Sequence, residues 1–160
     1  MLITELPFGL GGRVYRSPMP FSRSYDPGGD AYEEMKQAGV EVIVVLAEAD
    51  ECMRKSGRDL LDLYRSEGWE VIHLPVPDYT APTLSELEGL ARQITDRARK
   101  GRNVAVHCAG GVGRTGAVMA VVAKYALESP PEDPIAWVRE FICGAVETRE
   151  QTEAVRQAFS

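Results

Sequence analysis

Residues 103–121 read NVAVHCAGGVGRTGAVMAV, a β-branched apolar run followed by Cys108, then by Arg114 and Thr115 among Gly110, Gly111, Gly113 and Gly116. A glycine-rich turn between a strand and a helix can aim consecutive backbone N–H groups into one concavity. Glycine accepts the required positive φ and lets the backbone approach a ligand closely. Added to the positive end of the following helix dipole, such a turn is an anion site, and a phosphoryl group fits it. Three glycine-loop readings compete. Gly111, Gly113 and Gly116 match the dinucleotide fingerprint GxGxxG, but that motif needs an acidic residue ending the next strand about 20 residues on. Here SPPEDP follows, with no strand before Asp133. A nucleotide P-loop requires Gly at 108 and Lys at 114, and fails at both. The third reading uses the non-glycines. Cys108 at the base of the turn would face the same amides and dipole, which favour the nucleophilic thiolate. Arg114 offers a planar fork to two phosphoryl oxygens and matches the equatorial charge of an in-line transfer better than lysine does.

The pattern His-Cys-(five residues)-Arg-Thr resembles the signature of the cysteine-dependent protein tyrosine phosphatase superfamily, particularly its compact dual-specificity branch, and HCAGGVGRTG matches it through its full length. The likeness is tight at 107–116 and around Asp78, and looser from about residue 13 to 155. It implies hydrolysis of phosphate monoesters through a phosphocysteine on Cys108, with no cofactor and no metal. Arg114 and the amides of Ala109, Gly110, Gly111, Val112, Gly113 and Arg114 are expected to hold the phosphoryl group. Thr115 is expected to donate to the Cys108 sulfur when phosphocysteine breaks down, and His107 to orient the loop by hydrogen bonding.

The leaving oxygen needs a proton, hence an acid on a neighbouring loop. Asp78, in PVPDYTAP and 30 residues before Cys108, stands where dual-specificity phosphatases carry theirs. Pro75, Pro77 and Pro82 limit that loop's conformations; Asp26 and Asp50 are the alternatives. Left ionised, the same carboxylate can activate the water of the second step. Gln151, in GAVETREQTEAV, resembles the water-positioning glutamine of tyrosine-phosphatase relatives, with Glu147 where several carry a further glutamine. Arg149 reads as an exposed charge with substrate contact as the alternative, and Arg16, in a segment resembling a pocket-flanking loop, as packing. His73 reads as a hydrogen-bonded core residue, and Cys52 and Cys143 as inert thiols.

The elements that must position these residues alternate. A short strand at Arg13–Tyr15 precedes the loop RSPMPFSRSYDPGGD, and a helix follows from Asp30 to Ala38. The near-continuous apolar run 40–47 suits a strand buried on both faces. One helix is expected over 51–66, a strand over WEVIHLPV, and a helix opened by a Thr83/Glu86 capping box and ended near Lys100 and Gly101. Then come the strand Asn103–His107, a buried helix over 114–127, a helix from Asp133-Pro134 to Gly144, and a last one over 148–158. The sum is one α/β domain over 1–160, its mainly parallel sheet covered by helices on both faces, with the glycine turn at the carboxyl end of a strand where ligands bind.

Composition narrows the partners. The chain has 160 residues, 44% of them hydrophobic, and a net charge of −6, which suits one core and argues against nucleic acid and against an anionic membrane surface. No signal peptide or membrane-spanning run is recognisable, so a cytoplasmic location is expected. Three widely spaced cysteines fit neither a disulfide framework nor a metal site. The expected partner is a phosphorylated protein or peptide, phosphotyrosine with phosphoserine or phosphothreonine open, and a monomer is the expected state. Two other readings stand: a phosphatase of a small molecule or lipid such as an inositol phosphate, and a catalytically silent phosphobinding module.

Overall fold

The computed structural model describes all residues 1–160. Five strands form one sheet: β1 (Thr4–Leu6), β2 (Val14–Ser17), β3 (Val42–Val45), β4 (Glu70–His73) and β5 (Val104–His107). Their order is β1-β2-β5-β3-β4, parallel throughout except for β1, which pairs antiparallel with β2. β5 is central. Val104 aligns with Val14 on one side and Val42 on the other, and His107 with Ser17 and Val45. All four residues of β5, and all four of β3, are buried, as expected of strands covered on both faces.

The seven helices are α1 (Asp30–Gln37), α2 (Ala49–Ser56), α3 (Leu60–Ser66), α4 (Leu84–Arg99), α5 (Gly113–Ala126), α6 (Pro134–Arg139) and α7 (Arg149–Ala158). Side-chain alternation sends Val42, Val44, Val104 and Val106 into a core built with α4, α5, α6 and α7. Ile43, Val45 and Ala105 go into a second core built with α1, α2 and α3. α5 is buried along nearly its whole length; this placement puts its N-terminus directly after the central strand. The capping box Thr83/Glu86 is formed, and Asp133 caps α6.

Three boundaries differ from the sequence reading. The expected helix 51–66 is two helices, because Gly57 takes φ +73° and ends α2 while Asp59 accepts from Asp62 N and starts α3. α6 stops at Arg139 rather than at Gly144; Arg139 gathers the carbonyls of Ala145 and Val146, at 2.8 and 2.9 Å, and folds the intervening residues into turns. β1 is an additional three-residue edge strand.

Candidate active site

The turn after β5 has its backbone polarity sorted. Every carbonyl from residue 108 to 112 is taken from outside. Cys108 O pairs with His107 Nδ1 at 2.9 Å, and Ala109 O accepts from Met19 N at 2.7 Å. Arg16 donates to Gly110 O at 2.8 Å and to Gly111 O at 3.1 Å, and Val112 O accepts from the amides of Gly116 and Val146. The backbone N–H groups of residues 109–114 have no protein acceptor. With the carbonyls engaged elsewhere, these amides are left unpaired around Cys108, the arrangement that an anion nest requires. Gly111 must be glycine: its φ is +74° and a Cβ there would sit 2.3 Å from Ser17 O. Arg16, which reads as packing in the sequence, is the brace of this loop.

Cys108 and Arg114 are buried at the floor, 3% and 1% exposed, in a cavity of about 180 Å³ that Asp78, Lys55, Tyr25 and Tyr79 also line. The Arg114 guanidinium is held bidentately by Glu51, Nη1 to Oε1 at 2.8 Å and Nη2 to Oε2 at 2.7 Å, and Nη1 also donates to Val76 O at 2.9 Å. Nε–H has no hydrogen-bond acceptor, and beyond Glu51 the Nη2 group meets only Asp78, as an ion pair, so a ligand that displaces Asp78 finds two donors in one plane for two of its oxygens. Burial alone would raise the Glu51 pKa, but hydrogen bonds from Arg114 and Lys55 hold it at about 2. Asp78 Oδ1 lies 3.0 Å from Arg114 Nη2, and its Oδ2 accepts from Lys55 Nζ at 3.0 Å. Lys55 also reaches Glu51 at 2.8 Å. Two carboxylates and two cations thus alternate along one wall. Glu51 and Lys55 are absent from the sequence reading; their only sequence signal is an i,i+4 acid–base pair on the helix following a buried strand.

His107 is fully buried, and desolvation is the main reason its pKa falls to about 4, so the ring is neutral near pH 7. A carbonyl can only accept; Nδ1 facing Cys108 O therefore carries the proton, and Nε2 accepts from Tyr64 OH at 2.8 Å. Tyr64, stacked on Trp69, is a second support that sequence reasoning missed. Thr115 Oγ1 is the one buried side-chain oxygen or nitrogen without a hydrogen-bond partner; it is not bonded to the Cys108 sulfur.

Gln151 is buried beside Gly113, where a Cβ would meet its amide at 3.0–3.1 Å. Its Oε1 accepts from the amides of Glu147 and Thr148, and its Nε2 donates to Thr80 O at 3.1 Å. Glu147, not Gln151, is on the cavity wall. Phe21, Tyr79 and Val146 are the non-glycine residues with positive φ, one on each loop around the nest; such a conformation costs on the order of 1 kcal/mol or more.

The alternative acids lie elsewhere. Asp26 is buried and accepts from the amides of Asp30 and Ala31, and Asp50 is an exposed residue 3.8 Å from Arg54. Arg149 is exposed and pairs with Glu153. His73 bonds Ala47 O at 2.9 Å. Cys52 is buried, with its thiol pushed up to about 12 by desolvation and by Glu51, while Cys143 is exposed. No helix is long and apolar enough to cross a membrane.

The family described as "Polymorphic toxin system, DSP-PTPase phosphatase" matches residues 19–126, a span that includes Asp78 and the whole nest. An uncharacterized protein of Methanocaldococcus jannaschii is 40% identical over 87 residues, 54% of this chain and 57% of its own length. Human cyclin-dependent kinase inhibitor 3 is 30% identical over 121 residues, 74% of this chain and 57% of its own length. The chain thus spans a little over half the length of these curated relatives. Among solved structures, Tk-PTP in its active form superposes with a TM-score of 0.74 at 35% identity, covering 92% of this chain and 91% of that one. Kinase associated phosphatase superposes at 0.85 with 23% identity, covering 97% and 92%, a likeness of fold.

Proposed function

The chain belongs to the DSP-PTPase family of the cysteine-dependent protein tyrosine phosphatase superfamily, and from that premise we propose that it hydrolyses phosphate monoesters of proteins or peptides through a phosphocysteine. The observation that carries the reading is one cavity in which unpaired amides surround Cys108 while Arg114 and Asp78 face each other at 3.0 Å. A phosphoryl dianion accepts from those amides and from Nε–H and Nη2–H of Arg114, taking the place of Asp78 beside the guanidinium. The Cys108 thiolate attacks phosphorus in line, the ester P–O bond breaks, and Asp78 gives its proton to the leaving oxygen. Water then attacks the phosphocysteine, Asp78 takes the proton, and the S–P bond breaks to release inorganic phosphate. The unpartnered Thr115 hydroxyl supplies a hydrogen bond to the departing sulfur, the use that an otherwise costly buried orphan calls for. His107, in its fixed tautomer, holds the Cys108 carbonyl away from the nest. Gln151 has one Nε2–H to spare but lies behind the cavity wall, so donation to the attacking water requires its side chain to turn towards the cavity, and proton removal falls to Asp78.

Tyr25 and Tyr79, 52% and 64% exposed on the cavity wall, favour an aryl ester such as phosphotyrosine, whose ring gains from aromatic contact. Lys55 is the only lysine on the wall and is already paired with Glu51 and Asp78, so a polyanionic lipid or inositol headgroup finds no free cation beyond Arg114. A silent module is disfavoured because nucleophile and acid share the cavity. The test is hydrolysis of p-nitrophenyl phosphate and of matched phosphotyrosine and phosphoserine peptides by wild type, Cys108→Ser and Asp78→Ala, without added metal. Turnover is expected from wild type, with the tyrosine peptide preferred, and not from Cys108→Ser; retained Cys108→Ser turnover would overturn the phosphocysteine, and a silent wild type the reading as a whole.

A further inference from the structure

Asp78 lies on a segment without regular structure between β4 and α4, and each contact that its side chain makes inside the cavity is one the reaction disturbs. Arg114 must serve the phosphoryl group instead of Oδ1, and a protonated Asp78 loses its charge attraction to Lys55. The backbone around it is not self-supporting either. Thr80 N donates to Pro77 O at 3.1 Å, closing a four-residue turn with Tyr79 at its third position and at φ +66°. Glycine or asparagine suits that position, whereas tyrosine must be held there by its surroundings.

Two side chains outside the cavity do the holding. Thr148 Oγ1 donates to Tyr79 O at 3.0 Å, and Gln151 Nε2 donates to Thr80 O at 3.1 Å. Both belong to the capping box that opens α7, in which Thr148 Oγ1 also accepts from Gln151 N and Gln151 Oε1 accepts from Thr148 N. The peptide N–H of Tyr79 goes to Asp78 Oδ1 at 2.9 Å, so both polar groups of the strained residue are pinned, one by Asp78 and one by Thr148. The same stretch reaches the nest, since Val146 N donates to Val112 O. One short segment before and within α7 therefore sets the spacing between acid and nucleophile.

We propose that Thr148 and Gln151 are positioning residues for Asp78, a helix cap extended into a strut that keeps the acid aimed at the leaving oxygen once its ion pairs have been broken. The inference rests on the phosphatase reading above and concerns only the placement of its acid. A misplaced acid should penalise substrates in proportion to how much the leaving group needs a proton, which loss of phosphate affinity would not do.

The test compares Thr148→Val, which removes the donor, with Thr148→Ser, which keeps it, on phenyl phosphate and on p-nitrophenyl phosphate, in wild-type and Asp78→Ala backgrounds. In the wild-type background Thr148→Val should lower kcat for phenyl phosphate roughly tenfold or more, and for p-nitrophenyl phosphate by less than about threefold, with KM little changed. Thr148→Ser should restore both. In Asp78→Ala, Thr148→Val should have no further effect. Equal losses on the two substrates, or an undiminished loss in the Asp78→Ala background, would show that Thr148 acts through the helix cap and overturn the inference while leaving the phosphatase reading intact. A wild type inactive on both substrates would remove that reading and the inference with it.

Discussion

Replacing Glu51 by glutamine keeps the shape of the side chain and removes the charge that holds Arg114. In the folded protein the Glu51 carboxyl is held at about 2 against an ordinary 4.5, and its side chain is 2% exposed, so solvent screening is slight. Such a depression contributes on the order of 3 kcal/mol to stability, at the lower end of the roughly 3–5 kcal/mol that breaking a buried pair costs. Because the folded value is the lower one, the contribution is complete above about pH 4.5 and is lost as pH falls towards 2. Urea unfolding at pH 7 should therefore place Glu51→Gln about 3 kcal/mol below wild type, and the gap should narrow by about 2 kcal/mol between pH 6 and pH 3. His107, at about 4 when folded against 6.5, also loses stability as pH falls through that interval; burial, the main cause of its shift, is common to both proteins, and only the smaller contribution from the Glu51 charge differs between them. Activity on p-nitrophenyl phosphate at pH 6 should fall by about tenfold or more, since the guanidinium loses its bidentate seat. Removing both charges with Glu51→Gln/Arg114→Met should recover part of the stability and none of the activity. Equal stability of Glu51→Gln and wild type at pH 7, or a gap indifferent to pH, would refute the claim that an ionised Glu51 organises this wall.

Tyr64→Phe leaves His107 Nε2 buried without its donor and should cost about 1–3 kcal/mol in urea unfolding at pH 7; an unchanged midpoint would contradict the tautomer assigned to His107. Arg16→Met releases the carbonyls of Gly110 and Gly111, so the Kd for orthophosphate, measured by calorimetry, should rise about tenfold. An unaltered Kd would mean that the nest does not depend on this brace.

Most of the candidate residues for the proposed chemistry were legible because they are nearly consecutive. His107 through Thr115 form one turn, and a turn's conformational demands are written in its own glycines. The helix starts marked by Thr83 and Asp133 were legible for the same reason, each cap and its third following residue being local partners, whereas the Thr148 cap emerged only in the structure. Gly57 did not reveal its break between α2 and α3, because amphipathic residues continue on both sides of it and a lone glycine is tolerated within many helices. β1 has only three residues, too few to show a period, and exists because β2 leaves it an open edge.

Local pattern alone made readable the glycine turn, Cys108 as candidate nucleophile, Arg114 as candidate phosphoryl ligand, Asp78 on the proline-bounded loop as candidate acid, and the alternation of strands and helices that places the turn at a strand's carboxyl end. What holds those groups in place comes from residues far away along the chain. Glu51 meets Arg114 across 63 residues, Tyr64 meets His107 across 43, Arg16 meets Gly110 across 94, and Thr148 meets Tyr79 across 69. Periodicity and motif spacing describe neighbours along the chain. These partners become neighbours only when β5 inserts between β2 and β3 and brings the carboxyl ends of the parallel strands, and α7 behind them, around one cavity.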